Sequence, residues 1–240
     1  MSRTPGCLIL HGFTSSLDTV RALAPMAERL GLPYRMPVLR GHGTRPEDLR
    51  GVGWQDWYVD AEQAFLDLRR DASQVIICAL SMGGLVGLHL AAEHAPETAG
   101  VVSIATALQF SDPLAVLTPL VARVRPMWPS PTRKLYADPS LVTRNTNYRF
   151  FATDAFASVR RYQRLVRVML PRVRAPLLVV HSRRDRIVPV SAANIIHTRA
   201  GSTTKEIQWF DRSGHEMLQD CQAEEIVAAI ERWIRATAMG

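Results

Sequence analysis

Runs of four to six mostly apolar residues alternate along this chain with stretches whose apolar positions recur every three or four residues. The runs are "CLIL" (7–10), "YRMPV" (34–38), "QVIICA" (74–79), "GVVSIA" (100–105), "PLLVVH" (176–181) and "KEIQWF" (205–210). Several are apolar at successive positions, the pattern of strands covered on both faces. Between them the 3.6-residue period predicts helices near 19–31, 55–70, 83–95, 191–200 and 222–236. In "QAEEIVAAIERWIRA" the apolar positions 226, 227, 230, 233 and 234 share one face, with acids early and arginine late, as the helix dipole favours. Strand–helix alternation with short connections means a parallel sheet with helices on both sides.

Residues 106–172 break this rhythm. They hold seven prolines (113, 119, 126, 129, 131, 139 and 171) and no convincing strand, yet keep apolar residues throughout. The segment is expected to be a helical cap inserted into a core made of 1–105 and 173–240. Within it, "AFASVRRYQRLVRVM" (155–169) sets Phe156, Val159, Leu165, Val166 and Met169 apart from Arg160, Arg161, Arg164 and Arg167. That is an amphipathic helix with a basic outer stripe.

Charge sharpens the contrast between the two parts. Between Arg123 and Arg174 twelve basic residues face two acidic ones, a surplus of ten in a chain whose net charge is +7. A positive segment can draw anionic substrates, lipid headgroups or nucleic acid, or can simply be solvated arginine. No aromatic-interleaved basic pattern or recognition motif accompanies it, so nucleic acid is not an expected partner; peripheral contact with an anionic lipid surface stays open. No stretch approaches 18 uninterrupted apolar residues, so no membrane span is expected. "MSRTPGCLILHGF" has too short an apolar run for a signal peptide, which makes the cytoplasm the default setting. The three cysteines, Cys7, Cys78 and Cys221, are scattered without CxxC or Cys/His ligand spacing, so neither a metal nor a redox motif is expected.

One position resists a packing explanation. In "QVIICALSMGGLVGLHLAAEHAPE" Ser81 stands between a buried strand and a helix, in A-L-S-M-G, a variant of G-x-S-x-G with Ala79 at the first glycine. A sharp strand–turn–helix lifts such a serine above the sheet, and small residues on either side relieve the crowding. A serine hydroxyl needs a base to become a nucleophile. His215, in "WFDRSGHEMLQD", lies on the connection before the last helix, and Asp185, in "HSRRDRIVP", follows a strand. The chain order Ser…Asp…His is the one α/β-hydrolases use. Asp211 competes with Asp185 as the acid, but four residues before His215 it fits a loop-capping role better. "LILHGF" ends a strand in His11-Gly12, so the backbone N–H groups of Phe13 and Met82 are candidates for an oxyanion hole. His89, His94 and His197 belong to helices and fit packing or surface roles. His181 ends a strand near Asp185, and His42 sits in a turn, "RGHG".

Taken together, "LILHGF", "RGHG", "ALSMGG", "HSRRDRIVP" and "DRSGH" resemble the α/β-hydrolase superfamily, in its bacterial carboxylesterase and monoacylglycerol-lipase-like branch. The resemblance covers most of residues 7–236 and implies an α/β-hydrolase fold: about six mostly parallel strands flanked by helices, with a small helical cap insertion. Many relatives carry an N-terminal hairpin ahead of the first strand; this sequence opens directly on the strand leading to His11, so a sheet of six parallel strands without that hairpin is expected. The resemblance further implies ester hydrolysis through an acyl-enzyme on Ser81, with His215 as base and Asp185 as its partner, on a small-molecule ester and without a cofactor or metal. Thioester hydrolysis or acyl transfer by the same triad is the alternative, and a non-catalytic receptor on this fold a more distant one. Phe13, Met82, Met127 and Trp128 are candidate substrate contacts. With Leu114, Leu117 and Leu120, the last two either line an acyl pocket or form the small core of the cap.

Overall fold

The computed structural model describes residues 4–238; the first three residues of the N-terminal stretch read above and the last two of the chain lie outside them. In chain order the elements are β1 (Gly6–Leu10), α1 (Ala24–Arg29), β2 (Tyr34–Arg35), α2 (Trp54–Asp71), β3 (Val75–Leu80), α3 (Met82–Glu93) and β4 (Thr98–Ile104). After them come α4 (Thr118–Val121), β5 (Met127–Pro129), β6 (Phe150–Ala152), α5 (Thr153–Met169), β7 (Leu177–Ser182), α6 (Val190–Arg199), β8 (Lys205–Phe210) and α7 (Ala223–Thr237). Six strands form one sheet in the order β2-β1-β3-β4-β7-β8, every pair parallel.

The alternation of side chains along each strand divides the core in two. Leu8 and Leu10 of β1, Val75, Ile77 and Ala79 of β3, and Leu177 and Val179 of β7 pack on one face with α2, α3 and α5. Cys7 and Ile9, Ile76, Cys78 and Leu80, and Leu178 and Val180 pack on the other with α1 and α7. Both faces are dry, which is why these strands read as continuous apolar runs. Each fully buried aliphatic side chain contributes about 1.5–3 kcal/mol. Helix α3 is buried on every side from Met82 to Ala92, and its sequence is accordingly apolar all round.

The strand order also fixes where chemistry can sit. From β1 the chain runs outward to β2, then crosses back to lay β3 on the other side of β1. At such a reversal the connections leaving the carboxyl ends of neighbouring strands diverge and open a crevice. The residues at its lips are those that follow β1 and β3, namely His11–Phe13 and Ser81.

Two local expectations change. The second strand is only Tyr34–Arg35, because Pro37 has no N–H to extend the pairing on this sheet edge. The segment between β4 and β7 does contain strands: β5 and β6 form an antiparallel pair that matches Met127 with Ala152 and Trp128 with Phe151. Three residues are too short to show a period, and Pro129 is tolerated where an edge N–H is not needed. Helix α5 begins at Thr153 and turns Val159, Val166 and Met169 inward, while Arg161 and Arg164 are exposed. No described helix is long and apolar enough to cross a membrane.

Candidate active site

β3 ends at Leu80 and α3 starts at Met82, which leaves Ser81 alone to turn the chain, at φ 55° and ψ −115°. A non-glycine residue in such a conformation costs about 1–3 kcal/mol and persists only when its surroundings hold it there. The Ser81 N–H donates to Ile104 O at 2.9 Å, and its carbonyl accepts from Gly84 N–H at 3.0 Å and Ala107 N–H at 3.1 Å. Glycine at 83 is required by space: a Cβ there would come within 2.5 Å of His11 O. At Gly84 it would overlap the Thr106 hydroxyl. The alanine at 79 is accommodated by another glycine, Gly87, one turn along α3, where an added Cβ would lie 3.1 Å from that of Ala79.

Two further connections converge on this serine. Beyond β7, Asp185 Oδ1 accepts N–H bonds from Ile187 (2.8 Å) and Val188 (2.9 Å), which aims Oδ2 at His215. Beyond β8, the loop carrying His215 is fastened from below: Asp220 Oδ2 accepts from Gly214 N–H at 2.6 Å, Gln222 Oε1 from Ser213 N–H at 3.1 Å, and the Ser182 hydroxyl donates to Ser213 O. His215 Nδ1 then lies 2.8 Å from Asp185 Oδ2, and Nε2 lies 2.9 Å from Ser81 Oγ. Ser81, Asp185 and His215, spread over 134 residues of sequence, meet at hydrogen-bond distance.

Burial shapes the charges of this group. It pushes the Asp185 carboxyl up, but the His215 ring and the bonds to His215 and Val188 together pull it below the ordinary carboxylate value. Burial likewise lowers His215, and the Asp185 charge and hydrogen bond outweigh it, so the ring ends above its ordinary value.

At the other lip, the His11-Gly12 turn lies against the serine: a Cβ on Gly12 would sit 3.2 Å from that of Ser81. Met82 is the first residue of α3, so its N–H has no acceptor within the helix. Phe13 follows Gly12, and its ring packs edge-on against His42, Trp57 and Phe151 at centroid distances of 5.8–6.1 Å. Behind it His11 Nε2 accepts from Leu39 N–H at 3.1 Å, which ties this turn to the "RGHG" loop. His42 is thus a packing neighbour of Phe13, out of hydrogen-bond contact with Ser81 and His215.

Desolvation holds both of these histidines neutral, lowering His11 to about 4 and His42 to about 3. The unfolded chain protonates them near pH 6.5, the folded one much later, so stability is lost as pH falls from 6.5 toward 4. The expected cost is about 2 kcal/mol for each by pH 5. In urea unfolding at pH 7 and pH 5, His42→Gln should lose about 2 kcal/mol less between the two than the parent protein. An equal loss in both would contradict the assignment.

Ser81, Met82 and His215 open into a cavity of about 650 Å³ whose walls are mostly apolar. Phe13, Leu114, Leu117, Trp128 and Phe156 line it, but Met127 and Leu120 are not among its walls. Met127 is turned by the strand alternation away from its neighbour Trp128 and packs against the core instead. Leu120 is 61% exposed. The leucines of this segment are therefore not a closed core of their own. The walls also hold polar residues that the sequence did not single out, Asn147 and Glu216 among them. Burial raises the Glu216 carboxyl, against the opposing pull of the His215 ring.

The remaining candidates lie elsewhere. Asp211 pairs with Arg183 at 3.0 Å on the surface. His89, within α3, is hydrogen-bonded to Tyr162 of α5 at 2.9 Å, and His94, at the end of α3, to Glu62 of α2 at 2.8 Å. His181 Nε2 donates to Val188 O at 3.2 Å and so steadies the loop of Asp185. Among the described residues no group of three His, Cys, Asp or Glu side chains is arranged to hold a metal ion.

Comparison with known proteins agrees with this architecture. Residues 4–222 match the family described as serine aminopeptidase, S33. The chain is 29% identical over 222 residues to a thermostable monoacylglycerol lipase of Bacillus sp. (strain H-257), covering 92% of this chain and 87% of that protein. It is 25% identical over 217 residues to a carboxylesterase of Bacillus subtilis (strain 168), covering 89% and 85%. A solved structure from work on LipS and LipT, two metagenome-derived lipolytic enzymes, superimposes with a TM-score of 0.91 at 27% identity, covering 98% of this chain and 95% of its own. The chain therefore belongs to the serine aminopeptidase S33 family of α/β hydrolases, in its esterase and monoacylglycerol-lipase-like branch.

Proposed function

We propose that this ester hydrolase cleaves uncharged carboxylic esters of short to medium acyl chain, monoacylglycerols included, through an acyl-enzyme on Ser81. His215 Nε2 takes the Ser81 proton as Oγ attacks the ester carbonyl, and Asp185 holds the imidazole in the tautomer that can do so. The N–H groups of Phe13 and Met82 stabilise the oxyanion, and one such donor is worth about 10²–10³ in rate. His215 passes its proton to the departing alcohol, then activates the water that releases the acid. The supporting observation is the unbroken chain of contacts from Asp185 through His215 to Ser81, opening into an apolar cavity. In this reading residues 106–172 are a cap over a core of 1–105 and 173–240. The exposed side chains of Leu114, Leu117 and Val124, beside Arg123 and Arg125, give that cap an apolar, basic rim suited to a lipid surface that presents such esters.

The test is hydrolysis of p-nitrophenyl esters from acetate to palmitate. Rates should peak at short or medium chains. Folded protein with no activity across the series would move thioester hydrolysis or acyl transfer ahead of this reading.

A further inference from the structure

Just ahead of β6, three consecutive residues join the loops that surround Ser81. Thr146 Oγ1 accepts from the Ser16 hydroxyl, on the turn after β1, at 3.3 Å. Asn147 Nδ2 donates to Glu216 on the His215 loop at 2.7 Å. Tyr148 makes the most bonds. Its N–H donates to Thr14 O at 2.8 Å, and its hydroxyl donates to Gly41 O at 3.2 Å and accepts from Thr44 N–H at 2.9 Å. The phenol is thus anchored on the turn of "RGHG", with its ring parallel to that of His42 at a centroid distance of 6.5 Å.

What this clamp holds is a strained residue. Thr14 is buried and has φ 62°, a left-handed conformation that a β-branched residue adopts only under constraint. The Tyr148 N–H supplies a restraint from outside the turn. If Thr14 relaxed to negative φ, the chain would swing at Phe13 and carry the Gly12–Phe13 peptide, with its N–H, out of line. Met82 N–H needs no such help, because α3 itself fixes it. Tyr148 is not among the cavity walls, so it would act without touching the ester. We propose that Tyr148 is a positioning residue for ester hydrolysis: anchored through its hydroxyl, it clamps the Thr14 carbonyl and so aims the Phe13 N–H at the oxyanion. This rests on the acyl-enzyme reading of Ser81.

The experiment uses Tyr148→Phe, which removes only the hydroxyl, and Tyr148→Ala, with folding checked by circular dichroism. On p-nitrophenyl butyrate kcat should fall about tenfold in the first and about 10² in the second, approaching the worth of one oxyanion donor, with KM within about threefold of the parent's. Two matched inhibitors read the oxyanion itself. Octyl trifluoromethyl ketone takes the Ser81 oxygen on its carbonyl carbon, the carbonyl electron pair moving to oxygen and the hydroxyl proton to His215. Octyl methyl ketone fills the cavity with little adduct. The trifluoromethyl ketone Ki should rise by the factor by which kcat/KM falls, while the methyl ketone Ki and the acid limb of the pH profile stay in place. Parental kcat and trifluoromethyl ketone Ki in every folded variant overturn the proposal, as does equal weakening of both ketones, the mark of a cavity-shaping role. A parent protein that binds the two ketones equally forms no adduct on Ser81, which overturns the acyl-enzyme reading itself.

Discussion

Ser81→Ala is expected to lower kcat on a p-nitrophenyl ester by about 10⁶, His215→Ala by a similar factor, and the double variant by little more than either. The non-additivity is the informative part. Ser81 Oγ and His215 Nε2, 2.9 Å apart, act on one proton, so removing either partner leaves the other nothing to do. Residual rate comes from the oxyanion donors and from binding alone. Steady-state kinetics on the three variants, with circular dichroism to establish folding, decides the matter. Ser81→Ala retaining more than a tenth of the parent activity would exclude Ser81 as the nucleophile, and losses that multiply would mean the two residues act independently.

Asp185→Asn should cost about 10⁴ in kcat, by analogy with other catalytic triads, because an amide can present its NH₂ to Nδ1 and stabilise the wrong tautomer. It should also move the pH profile. The carboxylate raises His215, so in the parent the acid limb of kcat/KM lies above pH 6.5, with activity lost as the ring protonates on lowering the pH. Without that charge the desolvation of the buried ring prevails and the limb shifts to lower pH. A variant profile that coincides with the parent's would show that Asp185 does not govern the ring. Surface Asp211, paired with Arg183, is the natural control: Asp211→Asn should change neither rate nor profile.

The parts of this molecule that are legible in the sequence share a property: a local pattern reports them. The buried strands read as apolar runs because both sheet faces are dry, and the turn at Ser81 reads from the small residues that crowding demands. His215 and Asp185 stand out as polar residues beyond strand ends. The β5–β6 pair has no such report, since three residues make no period and the pairing joins positions 127 and 152. Ala79 reads as a departure from the elbow pattern, and the compensation at Gly87 appears only when α3 is laid on β3. Glu216 and Asn147 are 69 residues apart and meet through the packing of the segment between β4 and β7, which no spacing rule encodes.

That packing has a consequence for exchanging parts among relatives. The segment is bolted to the loop of His215 along the edge formed by residues 135–137, and by Asn147: Glu216 N–H donates to Leu135 O at 3.0 Å, Ala137 N–H to Asp220 at 2.7 Å, Tyr136 OH to Gln219 at 2.9 Å, and Asn147 Nδ2 to Glu216 Oε1 at 2.7 Å. Gly214 touches the same edge so closely that a Cβ there would lie 2.5 Å from Leu135 O. The stretch from Leu114 to Val124, by contrast, is largely exposed, with only Thr118 buried. A recombination crossover placed between residues 126 and 131 would thus transplant the exposed wall of the cavity from another hydrolase and leave the histidine loop seated on its own supports. One that replaced residues 106–172 as a block would have to bring a matching loop with it.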